Sequence, residues 1–140
     1  GEGPLRKQLE QEAEVLGIKP RVRFLGWRDD AEALFAATDI FVCPSRHEPL
    51  GNVVIEAWAQ GVPVIAADSI GPGTLIQQGG NGILFPVDDF VSLANFIKRL
   101  ISDEELHKTI IENGYMQYEA EYTEPIVVDK YVKFFDQLLS

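Results

Sequence analysis

The chain has 140 residues, 46% of them hydrophobic and 24% charged, which is enough for one domain with its own core and unlike a disordered chain. Twelve Lys and Arg against 22 Asp and Glu leave a formal net charge of −10, which argues against a nucleic-acid backbone or an anionic membrane surface as partner. A single cysteine, Cys43, excludes an internal disulfide and fits a reducing compartment, and no apolar run approaches bilayer length.

Pro4 suits the first position of a helix in which Leu5, Leu9, Ala13 and Leu16 recur at helical spacing until Gly17 stops the run. Val22, Phe24 and Gly26 bound a short strand, and Asp29 or Asp30 caps a helix through Ala37. Residues 39–43 read as a buried strand, with Cys43 at its end as a packed thiol rather than a nucleophile. A loop containing Gly51, a helix and a strand over 62–66 complete a crossover unit, whose helix N-terminus points at the ligand edge of a sheet. Residues 71–80 are glycine-rich and irregular, with one helical turn expected over 74–78, and Ile83, Leu84 and Phe85 form a fourth strand. Asp88 and Asp89 precede a helix with Leu93, Phe96, Ile97, Leu100 and Ile101 on one face. Ser102 or Asp103 caps the next, which runs to about Tyr118 and carries His107 among solvated charges. A last helix begins near 123–125, with Val128, Tyr131, Val132, Phe135 and Leu138 on its core side. Strands alternating with helices predict an α/β fold, a Rossmann-like three-layer α/β/α arrangement around a parallel sheet covered on both faces, with no linker dividing residues 1–140.

The chemistry concentrates at Glu48-Pro49-Leu50-Gly51-Asn52-Val53-Val54-Ile55-Glu56, where two carboxylates frame a loop-to-helix junction. Around Glu56 the neighbours are apolar, while Asn52, Glu56 and Gln60 fall on one helical stripe. That stripe either faces water or presents a carboxylate to a ligand hydroxyl pair through charge-assisted hydrogen bonds. Leu50, Gly51 and Asn52 would offer backbone N–H groups at the helix start, which together with the helix dipole suit a diphosphate. Arg46 suits a phosphate, or an exposed salt bridge, and His47 carries little signal for a general base. Two histidines and one cysteine are too few for a metal centre, and there is no Asp-x-Asp motif.

The block PSRHEPLGNVVIEAWAQGVPVIAAD, with Arg21-Val22-Arg23-Phe24-Leu25-Gly26 before it and Asn81-Gly82-Ile83-Leu84-Phe85-Pro86 after it, closely resembles the retaining GT-B glycosyltransferases that carry a Glu-x7-Glu motif. The resemblance implies the nucleotide-sugar-binding C-terminal domain of a GT-B fold. It also implies that the chain, opening at a Gly-x-Gly-Pro turn on Gly1, lacks that domain's first strands and the N-terminal acceptor domain. It assigns Glu48 to the transferred sugar, as the catalytic position, and Glu56 to the ribose of the donor. Gly26 and Trp27 fall where the family's backbone edges the nucleobase; Trp27 either packs on the base or shields a sheet edge.

The implied reaction moves a sugar from a nucleoside diphosphate sugar to a glycan or lipid-linked acceptor, with no cofactor and no metal. The implied setting is the cytoplasm, or the inner face of the membrane reached through the missing domain. The chain alone is expected to be inactive and to self-associate through its exposed sheet edge. One departure bears on sugar choice: Thr74 stands where the family's Gly-Gly-x-x-Glu run has its acid. The alternatives are a non-catalytic nucleotide-binding or interaction module on the same half-fold, and an epimerase, for which residues 71–81 supply no acid.

Overall fold

The computed structural model describes residues 2–139 and divides the chain into two compact units, Gly1–Ala31 and Glu32–Ser140.

In the first unit, α1 spans Arg6–Val15. Its C-terminus is closed by Gly17 at φ 67°. The Gly17 N–H donates to Glu14 O and the Ile18 N–H to Ala13 O, a Schellman closure that only a residue comfortable at positive φ completes without strain. The predicted apolar stripe is mostly exposed. Ala13 is buried, whereas Leu5, Leu9 and Leu16 are 60%, 47% and 62% exposed. A short 3-10 turn covers Lys19–Arg21. The strand expected between Val22 and Gly26 does not form among the described residues. A strand is defined by its partner, and this extended segment is instead held by Arg6, whose Nη2 donates to Phe24 O at 3.3 Å and whose guanidinium lies 5.9 Å from the Phe24 ring centre.

The second unit holds three strands: β1 (Phe41–Cys43), β2 (Val64–Ala67) and β3 (Ile83–Phe85). They are parallel, in the order β1-β2-β3, with Val42 opposite Ile65 and Ala66 opposite Leu84. Every residue of the central strand β2 is buried, as a parallel strand covered on both faces must be. Because side chains alternate across a strand, Cys43, Val64 and Ala66 face one layer while Ile65, Ala67, Ile83 and Phe85 face the other.

α3 (Asn52–Ala59) covers the first face through Val54, Ala57 and Trp58. α5 (Phe90–Ser102) covers the second through Leu93, Phe96, Ile97 and Leu100, the face its spacing predicted except for Ile101, which is 68% exposed. α6 (Glu104–Glu121) serves both layers, with Ile110 in the second and Tyr118 packed on the first. The predicted three-layer α/β/α arrangement is therefore present with three strands rather than four.

The caps of α5 and α6 follow the sequence. Asp89 accepts from the Ser92 hydroxyl at 2.6 Å and the Ser92 N–H at 3.0 Å, and the hydroxyl contact leads in holding its carboxyl below the ordinary value. Asp103 rather than Ser102 caps α6, accepting from the Leu106 N–H at 3.0 Å. Asp30 binds Arg28 at 2.7 Å just ahead of α2 (Ala31–Ala36). Arg28 is the leading cause of the lowered Asp30 pKa.

Two expectations are corrected. The helical segment between β2 and β3 lies at Ile70–Leu75, α4, rather than 74–78. Pro72 is tolerated because it sits in the first turn, where its missing N–H has no intrahelical acceptor to lose. And α7 (Glu124–Leu139) buries no residue. Val128, Tyr131, Val132, Phe135 and Leu138, read as its core side, are each more than half exposed. Periodicity shows that a helix has an apolar face; it does not show that anything covers it.

Candidate functional site

At the carboxyl edge of the parallel sheet, the loops after β1, β2 and β3 open onto α3, α4 and α5, the edge where ligands of open α/β sheets bind. The Glu-x7-Glu segment is the first of these loops together with α3. Gly51 is the N-cap residue of α3, at φ 76° and ψ 24°. Its carbonyl starts the helix by accepting from the Val54 N–H at 2.9 Å. A Cβ there would lie 2.7 Å from Leu75 Cδ1. The positive φ and the close approach both select glycine. At the other end Gly61 closes α3, with the Gly61 N–H on Trp58 O and the Val62 N–H on Ala57 O. Val62 therefore belongs to the helix stop, and β2 starts two residues later than its apolar run.

Glu48 is half-buried. Its Oε1 accepts from the Gly51 N–H at 3.1 Å, so that N–H, expected to be open to a ligand, is paired within the loop. Glu56 is exposed on α3 together with Asn52 and Gln60. Among the described residues its carboxylate has no hydrogen-bond or ion-pair partner. The stripe thus points outward, opposite Trp58. Leu50 is 68% exposed.

The second loop locks onto the first. The Gly71 N–H donates to Glu48 O at 2.7 Å. A Cβ on Gly71 would stand 2.6 Å from Leu50 C and 2.7 Å from Glu48 O. Thr74, at the family's acid position, donates its hydroxyl to Gly71 O at 2.8 Å and so serves the loop's own backbone. At the carboxyl end of β2, Ser69 is buried and its Oγ is the buried side-chain polar atom without a hydrogen bond among the described residues, an open donor and acceptor at the edge of the site.

Arg46 takes the salt-bridge option, with Nε 2.7 Å from Asp88 Oδ1 and both side chains exposed. His47 is exposed, and Cys43 is buried at the end of β1 with no disulfide. His107 is half-buried, on the wall of a cavity with Asp39, Ile40, Leu100 and Glu104. Gly26, at φ 70°, and Trp27, 85% exposed, lie in the first unit. No three His, Cys, Asp or Glu side chains converge among the described residues.

Two residues that position α3 were given no role by the sequence, although Asn81 opens a run that carries the family resemblance. Asn81 is 97% buried, since 3% of its surface is exposed. Its Oδ1 accepts from the Gln77 N–H at 2.7 Å, its Nδ2 donates to Leu75 O at 3.2 Å and to Gln117 Oε1, and its carbonyl accepts from Trp58 Nε1 at 3.0 Å. Gly114 lets α6 approach Trp58, since a Cβ there would lie 2.8 Å from Trp58 Nε1. A buried Asn beside glycines was the available clue, but its partners lie 23 and 36 residues away in the chain.

A three-layer parallel sheet with a Glu-bearing loop and helix at its carboxyl edge defines the class, a Rossmann-like α/β domain, and the solved structures it resembles identify it with the C-terminal domains of GT-B glycosyltransferases. Anabaena HepE, in a crystal structure with UDP, superposes with a TM-score of 0.89 at 32% identity, covering 94% of this chain and 36% of HepE. A crystal structure of the C-terminal domain of LpcC, a glycosyl transferase group 1 family protein from Francisella tularensis, matches with a TM-score of 0.76 at 28% identity, covering 86% of this chain and 63% of that one. The chain belongs to the glycosyl transferases group 1 family, whose profile matches residues 1–117. Among its relatives, the lipopolysaccharide core biosynthesis glycosyltransferase LpsE of Rhizobium meliloti is 38% identical over 95% of this chain. LpsD of the same organism is 38% identical over 98%. The chain spans 39% and 40% of the length of these two relatives. Among the described residues no helix is long and apolar enough to cross a membrane.

Proposed function

We propose that this chain binds the donor in a retaining glycosyltransferase that moves a sugar from a nucleoside diphosphate sugar to a glycan or lipid-linked acceptor, without a metal. The observation that carries the reading is the locked pair of loops at the carboxyl edge, in which Gly71 seats on Glu48 and Leu50 while the Glu56 carboxylate stays unpaired on α3. Support comes from HepE structures holding UDP and UDP-glucose and from relatives named for lipopolysaccharide core synthesis, which makes a lipopolysaccharide core the acceptor class to test first.

In this reading the α3 N-terminus and its remaining N–H groups take the diphosphate. Glu56 accepts the two ribose hydroxyls, and Glu48 lies beside the transferred sugar, where a fixed carboxylate stabilises the positive charge that develops on the ring. By resemblance, Gly26 and Trp27 are assigned to the nucleobase. The step would rest on positioning and electrostatics rather than on a resident cofactor.

The test is a thermal-shift panel of UDP-, GDP- and ADP-sugars on the full-length protein, followed by calorimetry on Glu56→Gln. A charged hydrogen bond contributes about 1.5–3 kcal/mol, so Glu56→Gln is expected to weaken nucleoside diphosphate binding roughly ten- to hundredfold with the fold intact. Glu48→Gln should depress turnover more than donor affinity. Unchanged affinity in a folded Glu56→Gln protein would mean that the Asn52, Glu56 and Gln60 stripe merely faces water.

A further inference from the structure

The loops after β1, β2 and β3 carry four carboxylates, Glu48, Asp68, Asp88 and Asp89, against one guanidinium, that of Arg46. A diphosphate approaching this edge meets a negative field, and Arg46 is the strongest counter-charge those loops offer. Arg46 lies two residues before Glu48, so their Cα atoms are at most about 7 Å apart. It shares that loop with Glu48 and with Gly51, the N-cap residue of α3.

In this structure Arg46 is held by Asp88, 42 residues further along the chain. Asp88 is presented in an unusual way. It is the non-glycine residue with positive φ, 65°, among the described residues. The turn that carries it is anchored on both sides. The Asp89 N–H donates to Pro86 O at 3.0 Å just after buried Phe85, and Asp89 caps α5. A left-handed aspartate is uncommon and has a backbone cost, although Asp and Asn tolerate it better than other side chains do.

The residue held in that conformation makes one ion pair, with side chains 70% and 60% exposed. Exposed pairs of this kind contribute little to stability, too little for a staple between loops. The pair is suited to exchange: a diphosphate offers more charge than a carboxylate and several oxygens to the guanidinium fork.

We propose that Asp88 is a place-holding counter-ion for Arg46, and that donor binding moves the Arg46 guanidinium from the Asp88 carboxylate to the diphosphate. Asp88 thereby competes with the donor and sets its affinity, and its loop couples the end of β3 to the Glu48 loop. The inference rests on the donor-site reading above and adds to it a residue pair that tunes the same site.

The test is calorimetric titration of the full-length protein, Asp88→Asn, Arg46→Gln and the double variant with whichever of UDP, GDP or ADP binds most tightly, and with the same nucleoside lacking phosphates. Asparagine keeps the left-handed backbone and removes only the charge. Both sites are exposed, so the thermal midpoints should stay close to that of the parent.

Asp88→Asn is expected to tighten the diphosphate by about threefold to tenfold, and Arg46→Gln to weaken it about tenfold, as expected for charge-assisted hydrogen bonds. In the Arg46→Gln background Asp88→Asn should have almost no effect, because the residue it competes for is gone. Nucleoside affinity should not change in any variant. Asp88→Asn that leaves diphosphate affinity unchanged, or that tightens it equally without Arg46, overturns the exchange. If Glu56→Gln still weakens binding in the same series, the donor site stands and only the Asp88 role falls. A parent protein that binds no nucleoside diphosphate overturns both.

Discussion

Gly71→Ala is expected to damage stability and donor binding together. The added methyl would stand 2.6 Å from Leu50 C and 2.7 Å from Glu48 O, and closer still to Gly51 N. All three neighbours are backbone atoms, so no side chain can swing aside, and the two loops must separate. Separation breaks the 2.7 Å bond from the Gly71 N–H to Glu48 O and moves the carboxylate that the first loop positions. Overpacking of this kind costs about 1–3 kcal/mol, occasionally more. Gly73→Ala is the internal control. Its methyl would meet Asp68 Oδ1, the free end of an exposed side chain, and should cost under about 0.5 kcal/mol as a surface change. Thermal denaturation of the two variants, with calorimetry of the bound nucleoside diphosphate, checks both halves. Equal midpoints for the two would show that the loops are not packed backbone to backbone.

Trp58→Ala should be the most destabilising single change among those considered. Trp58 is 1% exposed and sits in the first-face core with Val54, Ala57 and Val62. Removing a buried aromatic side chain costs about 3–5 kcal/mol, a large part of the roughly 5–15 kcal/mol that holds a native domain. The change also leaves the Asn81 carbonyl without the Trp58 Nε1 donor it has at 3.0 Å. Trp58→Phe separates the two contributions, since it keeps most of the volume and loses the hydrogen bond, for which about 0.5–1.5 kcal/mol is typical. Urea unfolding of the three proteins reads these steps directly, and a Trp58→Ala midpoint close to that of Trp58→Phe would contradict the packing assigned to the α3–α6 contact.

The local rules were legible wherever they depended on neighbours in the chain. The α3 boundaries follow from Gly51 and Gly61, whose positive φ lets them open and close a helix. Asp89 and Asp103 cap α5 and α6 because a carboxylate can reach a first-turn N–H three residues on. The continuous apolar run of β2 announced a central parallel strand, since a strand covered on both faces has no polar side to alternate. The family motif then gave Glu48 and Glu56 candidate roles that periodicity alone left open.

Tertiary structure decided what depends on partners distant in sequence. Val22 to Gly26 had strand composition, but strand formation requires a ladder, and this segment is tied by Arg6 instead. Thr74 lies near the end of a helix that starts earlier than expected, at Ile70, and the Gly71 N–H of that helix bonds Glu48 O, 23 residues away. α7 showed its apolar face in the sequence, yet the structure leaves that face open. The sequence by itself determined the alternation of strands and helices, the ends of α3, the caps of α5 and α6, and the two-carboxylate loop, which rest on interactions a few residues long, whereas it misplaced α4. The pairing of Arg46 with Asp88, the seat of Gly71 on Glu48 and the Asn81 hub beneath Trp58 had to await the folded chain, because each joins residues about 20 to 40 positions apart. Side-chain type announces a capacity for such contacts, and only packing selects the partner.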